Sequence, residues 1–69
     1  MNSKNTREKL IQEMKEQGAT EYTLRGIISR LKTEKKQQMM LDYLLETKNI
    51  PIPTGKIILK SIEIKQMKD

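Results

Sequence analysis

Asn49-Ile50-Pro51-Ile52-Pro53-Thr54-Gly55-Lys56-Ile57-Ile58-Leu59-Lys60-Ser61-Ile62-Glu63-Ile64 decides whether this 69-residue chain ends in a hairpin or in a helix. Each proline removes a backbone donor and pushes the residue before it into the extended region, which excludes a helix over residues 50–53. In a strand, alternate amides point to the same side, so Pro51 and Pro53 would face an open edge while Ile50 and Ile52 donate to a neighbour. Ile52-Pro53-Thr54-Gly55 carries Pro at i+1 and Gly at i+3, as type I turns do. Residues 56–64 are β-branched and apolar enough to return as a second strand. The stretch thus predicts a β-hairpin over about 49–53 and 56–64, with Gln66 to Asp69 frayed. Ile57 and Leu59 share one parity and Ile62 and Ile64 the other, so a single apolar face needs a bulge near Lys60-Ser61. Helical spacing at Ile58, Ile62 and Lys65 is the competing reading; the Ile content and the turn chemistry favour the strand.

Upstream the periodicity changes to that of helices. Asn5, with Glu8 three residues on, has the form of a capping box, and it predicts a helix over about 5–17 that Gly18 stops. Its apolar stripe of Leu10, Ile11 and Met14 is narrow, which suits a helix that covers a core rather than filling one. Thr20 can cap a second helix over 21–31, where Leu24, Ile27, Ile28 and Leu31 stand at i, i+3, i+4 and i+7. Gly26 inside it costs about 1 kcal/mol relative to Ala, so close approach of another backbone is expected there. Thr33 can cap a third helix over 34–47, with Met40, Leu41, Leu44 and Leu45 on one side. Ile27, Ile28, Leu31, Leu41 and Leu44 are the expected core. The fold class read from the residues is mostly α, three helices and then a C-terminal β-hairpin, in one domain.

Composition removes several function classes. The chain has no Cys and no His, so it lacks disulfide and zinc-type staples, the commonest general base and the best nucleophile. Asp42 and Glu46 are a conceivable carboxylate pair at i, i+4, but such pairs are usually solvated helix faces. Gly55-Lys56 lacks the earlier Gly and the following Ser/Thr of a phosphate-binding loop. An enzyme is not expected, and no cofactor or metal is. The longest apolar run is Ile57-Ile58-Leu59, far short of the roughly 20 residues of a membrane span. The chain opens on Met1-Asn2-Ser3-Lys4-Asn5 rather than on an apolar leader, and a cytoplasmic protein is expected. A domain this small buries only about 60% of its unfolded surface, so help from a second subunit or a ligand is expected too.

The net charge of +5 is concentrated. Residues 22–41 carry Arg25, Arg30, Lys32, Lys35 and Lys36 against Glu34 alone, while residues 1–21 are balanced. A local basic cluster flanked by balanced segments is the footprint expected where a protein meets phosphates. Lys-rich surfaces also serve plain solubility. The only rings are Tyr22 and Tyr43, and this scarcity argues against stacking on single strands.

Three helices followed by a hairpin is the order of winged-helix domains. The segment Thr23-Leu24-Arg25-Gly26-Ile27-Ile28-Ser29-Arg30-Leu31-Lys32-Thr33 resembles the first helix and turn of small bacterial or phage helix-turn-helix regulators. That resemblance implies a winged-helix-like protein of transcription regulation that places its third helix in the major groove of duplex DNA. Lys35, Lys36, Gln37 and Gln38 would reach the bases, Arg25 and Arg30 the phosphates, Lys32 would belong to the same nucleic-acid-binding surface, and Lys56 and Lys60 would extend the footprint from the hairpin. A footprint this small binds weakly, and a homodimer is expected.

A second reading belongs to another class. A small module that binds and regulates a larger protein would use Met39 and Tyr43, set on the expected outer side of the third helix, because Met and aromatic side chains are favoured in interface cores. Ordinary packing against the fold is the plain alternative for both residues.

Overall fold

The computed structural model describes residues 3–50 and 52–68, with side chains from Asn5 onward. Four helices follow one another: α1 (Ser3–Glu16), α2 (Glu21–Arg30), α3 (Glu34–Glu46) and α4 (Thr54–Gln66). No strand occurs among the described residues. The hairpin expected over 49–53 and 56–64 is therefore absent, and with it the winged-helix-like architecture. Pro51 and Asp69, expected in an edge strand and in a frayed end, lie outside the described residues.

The reason lies in the spacing of the isoleucines. Ile57, Ser61 and Ile64 are buried at i, i+4 and i+7, one face of a helix, so the parity break that demanded a bulge was a helical period. Burial of that face outweighs the strand preference of Ile, which reflects packing more than the backbone. Pro53 does not open a type I turn either. Its ψ of 143 is extended, and it stands as the N-cap, with its carbonyl accepting from Lys56 N at 2.9 Å and Ile57 N at 3.4 Å. Thr54 and Gly55 are thus the first helical residues, and Lys56 and Lys60 lie on α4 rather than on a wing.

Local chemistry places the other ends close to expectation. Gly18, at φ 89, closes α1 in a Schellman motif, with Ala19 N donating to Met14 O at 3.0 Å and Gly18 N to Lys15 O at 3.1 Å. The start of α1 is earlier than the capping box placed it, and Asn5 lies inside the helix. Thr20 and Thr33 are extended N-caps whose hydroxyls accept from Thr23 N and Lys36 N, each at 3.2 Å.

Leu10 and Met14 are fully buried beside Ile27, Leu31, Met40, Leu44, Ile57 and Ile64, so α1 fills the core instead of covering it. Leu41 joins them, while Ile28 is half-buried against their edge. The C-terminal ends of α1 and α3 meet: the Gln17 amide donates to Leu44 O at 3.0 Å, and Lys48 Nζ stands 3.6 Å from both the Glu13 and the Glu16 carboxylates. Along α3 and α4 the pairings run oppositely, Lys36 with Lys65 and Tyr43 with Lys60, so these helices are antiparallel.

Candidate nucleic-acid interface

Two of the four residues expected to read bases from α3 are spent on the fold. Gln37 is only 6% exposed, and its amide nitrogen donates to the Leu31 carbonyl at the end of α2, 2.8 Å away. The Lys36 ammonium donates to the Lys65 carbonyl at 2.9 Å, placing a positive charge at the C-terminal end of α4 where the helix dipole favours it. Both thus clamp helix ends. Gln38 is exposed and donates to Asp42 Oδ1 at 2.9 Å, and Lys35 is exposed in the first turn. Lys32 is exposed in the α2–α3 connection and Lys56 in the first turn of α4.

Met39 and Tyr43 are half-buried and pack on the core, as the plain alternative had it, instead of standing out as anchors. Lys60 Nζ lies 5.2 Å from the centroid of the Tyr43 ring and 3.3 Å from Glu63 Oε1. Met39, Tyr43 and Lys60 share a shallow hollow with Asp42 and Glu46, a mixed-charge setting without a basic surface.

What the structure does bring together is Arg25 and Arg30. They line one cleft of about 410 Å³ with Tyr22, Thr23 and Gly26 of α2 and Ile58 of α4, and no carboxylate lines it. Tyr22, Arg25, Gly26 and Arg30 fall at i, i+3, i+4 and i+8, so they share the side of α2 turned away from Leu24, Ile27 and Leu31. Gly26 makes the floor. The neighbour facing its missing Cβ is Nη1 of Arg30, which would lie 3.4 Å from it, so the close approach expected there is by a guanidinium and not by another backbone.

The two arginines differ in their pairing. Arg25 Nε is 3.8 Å from Glu21 Oε2, with both side chains well exposed, which makes a weak pair that an incoming anion can replace. Arg30 is partly buried and has neither an ion pair nor a side-chain hydrogen bond among the described residues. Tyr22, which also lines the cleft, is 89% exposed. The Thr23 hydroxyl accepts from Thr20 at 3.1 Å, leaving its own proton for a ligand. Tyr22, Thr23 and Ile58 were not among the expected site residues. The helical phase of Tyr22 with Arg25 and Gly26 is the signal that marks Tyr22, and no local signal marks Thr23 or Ile58.

Elsewhere, Leu41 and Leu45 floor an apolar groove between α1 and α3 rimmed by Glu8, Lys9, Gln12 and Glu13. Among the described residues no cluster of Asp or Glu is placed to hold a metal ion. No helix among them is long and apolar enough to cross a membrane. No protein-family model matches the sequence, and no curated protein or solved structure is significantly similar to the chain.

Proposed function

We propose that this chain is a small non-enzymatic protein that binds nucleic acid through the α2–α4 cleft, with Arg25 and Arg30 holding backbone phosphates. The observation that carries the reading is Arg30: a partly buried arginine without an ionic partner among the described residues, beside a second arginine in a cleft that no carboxylate lines. Guanidinium offers five donors in a fork that matches phosphate oxygens, so two arginines lining one cleft suit a phosphodiester. Lys32 and Lys35, exposed near the end of α2, add to the positive potential that draws a polyanion in. Two arginines hold few phosphates, and useful affinity then comes from several chains on one strand or from a dimer.

The test is binding to labelled nucleic acid as salt is raised. Phosphate binding weakens steeply with salt, and replacing Arg25 and Arg30 together by Ala is expected to weaken it on every sequence and to flatten the salt slope by about one unit for each phosphate no longer held. Absence of salt-dependent binding at low ionic strength refutes the reading.

One observation favours a protein partner instead: the groove floored by Leu41 and Leu45, with Leu45 half exposed. If nucleic acid is not bound, that groove, and not Met39 and Tyr43, is the surface at which to look for one.

A further inference from the structure

Resting on the proposed function, we infer that the cleft takes an unpaired nucleotide of single-stranded nucleic acid, with its base on the Tyr22 ring and its phosphate between Arg25 and Arg30. The Tyr22 ring stands almost wholly in solvent beside two guanidinium groups, whereas the only other ring, Tyr43, is half-buried with a lysine over it. An exposed aromatic face next to cations is the pairing that single-strand binders use, because every unstacked base has a π-face and every nucleotide a phosphate.

The dimensions agree. The volume of about 410 Å³ falls in the range of sites for small ligands, roughly 300–1,000 Å³. Ile58 of α4 gives the cleft an apolar patch for the sugar or for the second face of the base, and Thr23 has a hydroxyl proton to donate. A duplex cannot use this site fully. Its bases are stacked and paired, so it offers the arginines phosphates but leaves Tyr22 without a partner. The scarcity of rings in the sequence argues against stacking, yet one ring suffices when it stands at the mouth of a cleft that holds two arginines.

The experiment uses the full chain and three fluorescent probes of about 12 nucleotides, a length within single-strand site sizes: a DNA single strand, the RNA of the same sequence, and the corresponding DNA duplex. Both single strands are expected to bind more tightly than the duplex. Tyr22→Ala is expected to weaken single-strand binding about tenfold and to leave duplex binding unchanged, and Tyr22→Phe to restore it. Single strands bound no better than the duplex, or a Tyr22→Ala variant that binds them as the parent does, overturn the inference. If the duplex is nevertheless bound in a salt-dependent way that needs Arg25 and Arg30, the phosphate-binding reading stands alone. Failure to bind any of the three probes removes both.

Discussion

The side-chain amide nitrogen of Gln37 lies 2.8 Å from the carbonyl oxygen of Leu31, tying the first turn of α3 to the end of α2. That carbonyl is one of the orphan acceptors every helix leaves at its C-terminus, and here it is satisfied across the interhelix turn. Gln37→Ala removes the donor and leaves a buried acceptor unpaired, a cost of roughly 1–3 kcal/mol. Gln37→Glu is expected to cost more, since it sets a carboxylate against a carbonyl. Thermal or urea unfolding checks both. A Gln37→Ala variant as stable as the parent would show that the amide hydrogen bond does no more than offset the burial of its own Oε1, which has no partner among the described residues.

Packing of α4 is tested at Ser61, which is fully buried and donates to Ile58 O at 2.6 Å within its own helix. The small side chain lets α4 sit close to its neighbours. Ser61→Leu is expected to overpack the site and cost about 1–3 kcal/mol, while Ser61→Ala stays within about 1 kcal/mol. In a hairpin the same residue would sit at a bulge and tolerate leucine. A Ser61→Leu protein that melts like the parent would therefore argue against the buried helical face of α4.

Leu31 tests the other half of the core. It is fully buried at the C-cap of α2, and Leu31→Ala is expected to cost roughly 2–5 kcal/mol, comparable with the whole stability of a small domain. Melting within a few degrees of the parent would place the core elsewhere.

The ends of α2 and α3 are readable from sequence because their signals are local: Thr20 and Thr33 cap by their own hydroxyls, and Gly18 alone accepts the left-handed stop. Residues 54–66 are not, because Ile favours strands locally and the choice is made by which residues meet the core. The spacing Ile57, Ser61, Ile64 holds that information, but Ser61 is polar and does not look like a core position. Polarity hides Gln37 in the same way, although it stands i−3, i−4 and i−7 from Met40, Leu41 and Leu44 on the buried face of α3. For the site, the residues 22–41 show a cationic segment but not which cations share a surface, since Lys36 is drawn to the end of α4 only by tertiary packing.

Glu16 links ionisation to the packing of α1 on the segment after α3. The Gln12 side chain, bonded at 3.1 Å, and then the Lys48 ammonium hold its carboxyl below the usual carboxylate range. A depressed folded pKa stabilises the protein above the unfolded carboxylate range, and that contribution is lost as pH falls through the folded value. Gln12→Ala is expected to raise the Glu16 pKa most and Lys48→Ala to raise it as well, read by carboxyl NMR titration. An unchanged value in both variants would mean that neither interaction persists in solution.

Gly26 separates the stability of α2 from the shape of the cleft. A glycine within a helix costs about 1 kcal/mol relative to alanine, and here the nearest atom to an added Cβ is the far end of the Arg30 side chain at 3.4 Å, an ordinary contact. Gly26→Ala is therefore expected to stabilise the fold by about 0.5–1 kcal/mol, with Arg30 in place and the proposed nucleic-acid binding kept. Gly26→Leu keeps the helical gain but fills the floor between Tyr22 and Arg30, so binding should fall while the melting temperature does not. Paired melting and binding measurements on the two variants decide the matter. Destabilisation by Gly26→Ala would mean that another part of the chain presses on this position, and Gly26→Leu binding like the parent would argue against the proposed nucleic-acid site in the α2–α4 cleft.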